Sequence, residues 1–275
     1  MLKNSFQKLL DLFYRTPKLF VRYDNKEGKP ILFLHGIATD GKCWDDCISN
    51  LNGQGLRLIV LDLLGFGNSP KPANCSYDLQ DHAKSIEKTI KKLRLKEPII
   101  VVGHSMGSLI AIEISKRNKI KIDSLFLCSP PIYLPADVAQ AEKQYSKTAR
   151  SKNNAYFRVY KMIVNNPKTT LRAAKIATAG FSGFKINAQT WIPFKRSLVN
   201  SIVNQKTLTD IQNIKQNIKI IYGVFDVLVM PKNYQQLAKE RHNVTVIKAR
   251  VGHVLNKYYS KFIAKELRTS LANKP

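Results

Sequence analysis

One stretch of the chain joins a buried strand to a helix through a turn that few residues tolerate. Four β-branched residues, Ile99–Val102, are followed by Gly103-His104-Ser105-Met106-Gly107 and then by a helical pattern. Glycine stands on both flanks of the turn, where strand and helix leave no room for a side chain. Such a turn holds Ser105 above the sheet, with the N-terminus of the following helix directed at it. Ser105 is therefore the candidate nucleophile.

A serine hydroxyl needs a neighbouring base to act as a nucleophile near neutral pH. Only two histidines, His242 and His253, follow the serine in the chain, one on each side of a predicted strand at 244–247. Active sites of open α/β sheets lie at the carboxyl ends of strands. We therefore predict that His253, which follows the strand, is the base. The plainer alternative is that His253 only begins the next helix.

A histidine base is oriented by a carboxylate that accepts its second N–H. Asp226 follows the end of a predicted strand at 218–222, and we predict that it is this carboxylate. A helix cap ahead of Pro231 is the alternative role. Asp123 and Asp210 also lie between the serine and the histidine, but Asp123 begins a predicted strand and Asp210 lies in a helical stretch.

A tetrahedral oxyanion needs two backbone N–H donors. One is predicted from Met106, the residue after the nucleophile, and the other from the loop after an earlier strand. The apolar run 31–35 is that strand; Gly36 permits a close turn and Ile37 offers its amide. His104, beside the nucleophile, is predicted to be structural, with its side chain directed away from the Ser105 side.

The order and separation of these motifs resemble the α/β-hydrolase superfamily, in its compact single-domain branch with a helical cap. The resemblance covers about 19–130 and 207–271 and rests on five segments: Leu34-His35-Gly36, Asp62–Ser69, the turn around Ser105, Gly223–Asp226 and Gly252-His253. It implies a mostly parallel central sheet with helices on both faces and a Ser-His-Asp triad. It also implies a structural loop at Asp62 and acyl-enzyme chemistry without a metal or cofactor.

The nucleophile and the oxyanion loop narrow the expected chemistry. Serine at position 105 separates the chain from the dehalogenases and epoxide hydrolases of this fold, which carry aspartate there. The loop His35–Ala38 reads His-Gly-Ile-Ala rather than His-Gly-Gly-Gly, which disfavours bulky tertiary-alcohol esters. We expect a serine hydrolase, a carboxylesterase, that acts on a small-molecule acyl substrate. Acyl transfer, perhydrolysis, carbon–carbon cleavage of anionic diketone acids and noncatalytic binding of an anionic ligand or membrane are the alternatives.

Strand patterns alternate with helical ones, which indicates a parallel sheet covered on both faces. The alternation breaks at 131–206, where the pattern is helical; we predict a lid there, inserted into a core of 19–130 and 207–275. The glycines of 180–183 are a candidate hinge. The predicted strands are 19–23, 31–35, 56–61, 99–102, 124–128, 218–222 and 244–247.

The first residues, 1–18, are predicted to form an amphipathic helix rather than a signal peptide. Its apolar stripe would pack on the domain or rest on an anionic membrane; it consists of Leu2, Phe6, Leu9, Leu10 and Phe13. No apolar run approaches the roughly 20 residues that a membrane span needs. The four cysteines follow no metal or disulfide pattern. We therefore expect a cytoplasmic protein, with membrane association left open.

The chain is strongly basic, with 45 Lys and Arg against 19 Asp and Glu and a net charge of +26. Such a charge attracts nucleic acid, anionic lipids and anionic small molecules. The basic residues are spread over most segments, so we expect no specific nucleic-acid site. Those of the lid either form a solvated outer face or hold a substrate carboxylate or phosphate. The sequence does not determine the oligomeric state.

Overall fold

The computed structural model describes residues 16–134, 147–172 and 185–272. The strands are β1 Val21–Asp24, β2 Lys29–Leu34, β3 Leu56–Leu61, β4 Ile99–His104, β5 Ile122–Cys128, β6 Asn217–Gly223 and β7 Val244–Ala249. They form one sheet in the order β1-β3-β2-β4-β5-β6-β7. β1 is antiparallel to β3, and the other pairs are parallel. The predicted mostly parallel sheet is confirmed.

Helices cover both faces of the sheet and leave the carboxyl ends of the parallel strands for the connecting loops. The helices are α1 Asp45–Leu51, α2 Leu79–Leu93, α3 Met106–Arg117, α4 Lys147–Asn165, α5 Trp191–Ser197, α6 Thr207–Asp210, α7 Pro231–Glu240 and α8 Lys257–Ala272. Gly41–Trp44 and Ile211–Asn213 form 3₁₀ turns, and Leu198–Val203 is a π-helical segment. None of the helices within the described ranges is both long and apolar enough to cross a bilayer.

Alternation along the strands divides the apolar side chains between two cores. In β2, Leu32 and Leu34 join the core that α2, α3 and α7 cover, whereas Ile31 and Phe33 join the core that α1 and α8 cover. This division follows from the two-residue period of a strand, which sends successive side chains to opposite faces. Both faces are buried, as the near-continuous apolar runs of the sequence predict.

The first strand begins later than the predicted range 19–23. The amide of Leu19 donates to the Thr89 hydroxyl, and the amide of Phe20 donates to the Ser69 hydroxyl, each at 2.9 Å. Because side chains from distant segments take these donors, sheet pairing starts only at Val21. Similarly, the predicted helical stretch at 44–51 is divided, since a 3₁₀ turn ends at Trp44 and α1 starts at Asp45.

Two predicted segments lie wholly or partly outside the described residues. Residues 1–15 are not described, so the N-terminal amphipathic helix stays a prediction. Within 131–206, the described parts are 131–134, 147–172 and 185–206, and they contain helices but no strand. The candidate hinge at 180–183 lies outside them. The assignment of 131–206 as a lid stays a prediction.

Asp62 connects three segments at the carboxyl end of β3. Its fully buried carboxylate accepts two hydrogen bonds from Arg22, each 2.8 Å long, one from the amide of Gly41 at 2.9 Å and one from the amide of Asn68 at 2.8 Å. Burial alone would raise the pKa of Asp62, but the bonds from Arg22 and the two amides lower it below its usual value. The carboxylate therefore stays ionised and holds the loops after β2 and β3 together.

We expect Asp62→Asn to reduce the free energy of unfolding by about 3 kcal/mol, because the largely buried guanidinium of Arg22 loses its closer carboxylate at 2.8 Å and keeps only that of Asp40 at 3.9 Å. Denaturant unfolding of both proteins measures this difference. Asp46→Asn, at an exposed position of α1, is the control and should change stability by less than about 0.5 kcal/mol. An equal effect of the two substitutions would contradict the anchoring role.

The difference in unfolding free energy between wild type and Asp62→Asn should depend on pH. Folding lowers the pKa of Asp62, so its contribution to stability is complete above the unfolded pKa of about 4. That contribution is lost as the pH falls through the folded value. The stability difference between wild type and Asp62→Asn should therefore be constant near neutral pH and shrink in acid. A difference that grows in acid would show that the carboxylate is not held as the ion.

Candidate active site

The candidate nucleophile lies in a strained turn that backbone contacts enforce. Ser105 has φ 51° and ψ −120°, a conformation that is costly for a residue other than glycine. A Cβ on Gly103 would lie 2.4 Å from the carbonyl oxygen of Gly107, and one on Gly107 would lie 2.3 Å from that of Leu34. The backbones of strand β4, helix α3 and strand β2 are thus in direct contact. This contact imposes the strained backbone conformation of Ser105.

The structure brings Ser105, His253 and Asp226 together from three different loops. His253 Nε2 lies 3.1 Å from Ser105 Oγ, and His253 Nδ1 lies 2.8 Å from Asp226 Oδ2. With Nδ1–H donated to the carboxylate, Nε2 presents its lone pair to the serine hydroxyl. Nucleophile, base and orienting acid have this geometry in hydrolytic triads.

Asp226 has both carboxylate oxygens engaged. Oδ2 accepts from His253, and Oδ1 accepts from the amide of Leu228 at 2.9 Å. Burial alone would raise the pKa of Asp226, but the hydrogen bond and charge of His253, with smaller contributions from Ser129 and Leu228, lower it. The group is therefore ionised at neutral pH and able to stabilise a charged imidazole. Its local bond to Leu228 shapes the loop, and α7 begins only at Pro231.

The other candidates from the sequence lie elsewhere. Asp123, near the start of β5, faces Lys29 at 3.9 Å, and Asp210 pairs with Lys116 at 3.1 Å. His242 precedes β7 and so lies at the amino end of that strand. The structure therefore brings Asp226 and His253 to Ser105, and it places Asp123, Asp210 and His242 elsewhere.

The predicted oxyanion donors flank Ser105 from two sides. A Cβ on Gly36 would lie 3.2 Å from Ser105 Cβ, which places the loop after β2 directly against the nucleophile. The carbonyl of Gly36 accepts from the ring of His35 at 2.7 Å and from the Thr39 hydroxyl at 3.1 Å. In a trans peptide the following N–H points the opposite way. The amide of Ile37 is thereby directed away from the His35 ring.

The amides of Ile37 and Met106 have no hydrogen-bond acceptor among the residues that the structure describes. Met106 is the first residue of α3, where helix geometry leaves the N–H groups unpaired. The dipole of the helix adds partial positive charge at the same point. The two predicted donors thus have the free N–H groups that an oxyanion would require.

His35 holds the loop that follows β2, a role that the sequence did not indicate. Its Nε2 accepts from the amide of Leu63 at 2.8 Å, and its Nδ1 donates to Gly36. Complete burial lowers the pKa of His35, so the ring is neutral and has one donor and one acceptor nitrogen, as these two bonds need. The position of His35 between a strand and Gly36 was the available signal, but it does not identify the distant partner Leu63.

His104 contacts His253, which the prediction of a side chain directed away from Ser105 did not anticipate. Its ring lies 5.1 Å from the ring of His253, measured between centroids, and its Nε2 donates to the His253 carbonyl at 2.8 Å. Burial, together with the neighbouring His253, lowers the pKa of His104 to about 3. The neutral ring therefore acts as a fixed hydrogen-bond donor that positions the loop bearing His253.

The strand order of the sheet and the helices on both of its faces define an α/β-hydrolase fold. The family model described as the alpha/beta hydrolase fold matches residues 29–257, and the chain belongs to this family.

Relatives of the chain include proteins named as lysophospholipases and lipases. A protein of Arabidopsis thaliana named "Probable lysophospholipase BODYGUARD 4" is 36% identical over 109 residues, which cover 39% of this chain and 26% of that protein. The chain thus matches about a quarter of the length of such plant relatives. Lipase 3 of Moraxella sp. (strain TA144) is 24% identical over 262 residues, covering 90% of this chain and 78% of the lipase.

Among solved structures, an esterase from Exiguobacterium antarcticum superposes with a TM-score of 0.73. Its sequence is 18% identical to this chain, and the match covers 93% of this chain and 96% of the esterase. At that identity the likeness establishes the fold alone.

We expect Gly107→Ala to lower the free energy of unfolding by at least about 2 kcal/mol, because the new methyl group meets the backbone of Leu34 rather than a movable side chain. Gly252→Ala is the matched control, since a Cβ there has nothing within 4 Å. Denaturant unfolding of both variants makes the comparison. Equal stability of the two variants would show that the close contact at the turn is not required.

Proposed function

We propose that the protein is a serine hydrolase that cleaves carboxylic esters or related acyl compounds through an acyl-enzyme. The observation that carries the proposal is the pair of contacts that His253 makes, 3.1 Å to Ser105 Oγ and 2.8 Å to Asp226 Oδ2. The names of the relatives, which include lipase, esterase and lysophospholipase, support a hydrolase of ester bonds.

In the first half of the proposed reaction, Ser105 Oγ attacks the carbonyl carbon of the ester while His253 Nε2 takes the hydroxyl proton. The carbonyl oxygen becomes an oxyanion held by the amides of Ile37 and Met106. Each such donor contributes about 10²- to 10³-fold in rate, because it is fixed before charge develops. Asp226 keeps Nδ1 protonated and stabilises the imidazolium. The tetrahedral intermediate then collapses, and His253 gives its proton to the leaving alkoxide, which departs as an alcohol.

In the second half, water replaces the alcohol. His253 Nε2 accepts a proton from the water as its oxygen attacks the acyl carbon, and the same two amides hold the second oxyanion. Collapse of this intermediate breaks the bond to Ser105 Oγ, which recovers a proton from His253. The acid product leaves, and the enzyme returns to its starting state. All four proton transfers use one nitrogen, so the orientation that Asp226 and His104 give to His253 matters at each step.

We further infer that 131–206 acts as a lid over this site. Its described parts contact loops that follow three different strands, through hydrogen bonds from the Lys185 amide to Ala38 O at 2.5 Å, from Arg196 to Cys75 O at 2.6 Å and from the Tyr133 hydroxyl to Leu228 O at 2.8 Å. Because all three loops leave carboxyl ends of strands, these described parts lie at the same edge of the sheet as Ser105, Asp226 and His253. Its contact with Ala38 reaches the residue after the proposed oxyanion donor Ile37.

Ser105→Ala should reduce the hydrolysis of p-nitrophenyl esters by about 10⁴-fold or more, because the covalent route is lost. The assay uses acyl chains from acetate to long-chain esters, so that the wild-type profile also measures the length of the acyl pocket. A fluorophosphonate probe should label wild type and not the variant. Labelled Ser105 without turnover of any ester would contradict the substrate class but not the nucleophile. Absence of both labelling and turnover would contradict the triad.

Asp226→Asn should lower kcat by about 10⁴-fold, because the amide no longer fixes the histidine tautomer. His253→Gln should have an effect at least as large. Two controls of the same chemical types are available at positions away from the site, Asp210→Asn and His242→Gln, and both should retain wild-type activity. The measurement is steady-state kinetics on one short p-nitrophenyl ester. Loss of activity in a control comparable to that in its partner would contradict the assigned roles.

A further inference from the structure

Exposed apolar side chains are concentrated on the two loops that carry Asp226 and His253. Of ten large hydrophobic residues exposed in the described part of the chain, six lie on these loops or directly after them. We call these six the apolar rim: Val224, Phe225, Val227, Leu228, Val254 and Tyr258. A concentration of this kind on a soluble domain marks a surface that contacts a partner or a membrane.

The apolar rim is held in place by bonds between its two loops. The amide of Val224 donates to Ala249 O at 2.9 Å, and the amide of Phe225 donates to Val251 O at 3.1 Å. Within this fixed frame the residues on either side of Asp226 point outward. Phe225 is 64% exposed and Val227 is 72% exposed, whereas Asp226 between them is 7% exposed. The rim therefore presents its side chains beside the triad and leaves the carboxylate inside.

The surroundings of the apolar rim are basic. The segments 147–172, 223–234 and 248–261 contain twelve Lys and Arg residues and one acidic residue, Asp226, which is buried against His253. Two of the cations are placed at the rim by direct contacts. Lys152 Nζ lies 3.3 Å from Val229 O, and Lys257 Nζ lies 5.3 Å from the centre of the Tyr258 ring.

Charge alone does not distinguish this surface, because a second basic region lies near the amino ends of β4 and β5. A groove of about 1030 Å³ there is lined by Arg94, Lys121 and other basic residues, but also by Glu87 and Glu97. None of the ten exposed large hydrophobic residues lines it. The apolar rim, in contrast to this groove, combines positive charge with exposed aliphatic and aromatic side chains.

We propose that the apolar rim, with Lys152 and Lys257, is a docking surface for an anionic lipid bilayer, from which the site takes its acyl substrate. The inference rests on the proposed ester hydrolysis and names the physical state of the substrate. Apolar side chains enter the boundary between headgroups and acyl chains, and lysines contact the phosphates. A nucleic acid would engage the cations but would give the exposed aliphatic side chains no apolar environment.

The position of the rim relative to the triad gives docking a consequence for catalysis. The His253 side chain is 19% exposed, and the residue lies directly before Val254 of the rim. A lipid ester leaving the bilayer at this edge therefore meets the triad without crossing bulk water. Transfer through water would cost about 0.8 kcal/mol for each exposed CH₂ group of an acyl chain, and docking avoids most of that cost.

The test is cosedimentation of the full chain carrying Ser105→Ala, which cannot consume lipid by the proposed route, with sucrose-loaded vesicles. Vesicles of phosphatidylcholine alone are compared with vesicles that also contain phosphatidylglycerol. We expect strong binding to the anionic vesicles. Binding to the neutral vesicles should be weaker by about tenfold or more, and raising the salt concentration should weaken binding to the anionic vesicles by a similar factor. Absence of binding to anionic vesicles would overturn the proposal.

Variants locate the surface. Phe225→Ser/Val227→Ser and, on the other loop, Tyr258→Ser should each weaken vesicle binding, the double variant by about tenfold or more. Lys152→Gln/Lys257→Gln should weaken binding to anionic vesicles only. Phe20→Ser is the matched control: it removes a ring that is 41% exposed just before β1, at the opposite edge of the sheet, and should bind like wild type. Circular dichroism checks that each variant is folded.

Two outcomes would assign the rim differently. Unchanged binding of the rim variants would show that the general basic charge holds the vesicles, and the proposal would be wrong. A concentration-dependent dimer in light scattering, lost in the same variants, would show that the rim is covered by a second copy. Hydrolysis of p-nitrophenyl esters from acetate to long acyl chains by proteins with intact Ser105 is measured separately. Vesicle binding without turnover of any of these esters would refute the ester hydrolase and leave the docking surface standing.

Discussion

The backbone contact between α3 and strands β2 and β4 is the constraint on which the site depends. Gly103 and Gly107 let the first turn of the helix approach these strands so closely that a methyl group would overlap a carbonyl. The contact forces Ser105 into a positive φ angle immediately before the first helical residue, Met106. The strain is of the order of 1–3 kcal/mol. The buried strands and the helix compensate for this strain and hold Ser105 in one backbone conformation.

The remaining parts of the site are fixed by polar groups that are themselves held. His35 and Thr39 orient the Gly36 carbonyl, Asp62 joins the loops after β2 and β3, and His104 donates to the carbonyl of His253. Burial keeps His35 and His104 neutral, so each acts through the direction of one N–H and not through charge. Such preorganisation is what makes electrostatic stabilisation effective, because no reorientation is needed when charge develops.

The loops after β6 and β7 combine two opposed requirements. Asp226 is buried and stays ionised through its bonds to His253 and Leu228, whereas its neighbours Phe225 and Val227 are exposed. A short loop meets both requirements because bonds to the next strand end fix its backbone, so that alternate side chains face inward and outward. The basic surroundings then add long-range attraction to an apolar contact that acts only at short range.

The sequence by itself determined most of the sheet and the order of the site residues. Apolar runs separated by helical patterns predicted all seven strands, and the glycine pair around Ser105 predicted the turn. Both signals depend on local backbone geometry. Tertiary structure decided that β1 starts at Val21, that the ring of His104 lies against His253, and which rim side chains are exposed. These features depend on partners far along the chain; His253 meets Ser105 across 148 positions. A local pattern specifies a backbone conformation, but burial and hydrogen-bond partners are set only when distant elements pack together.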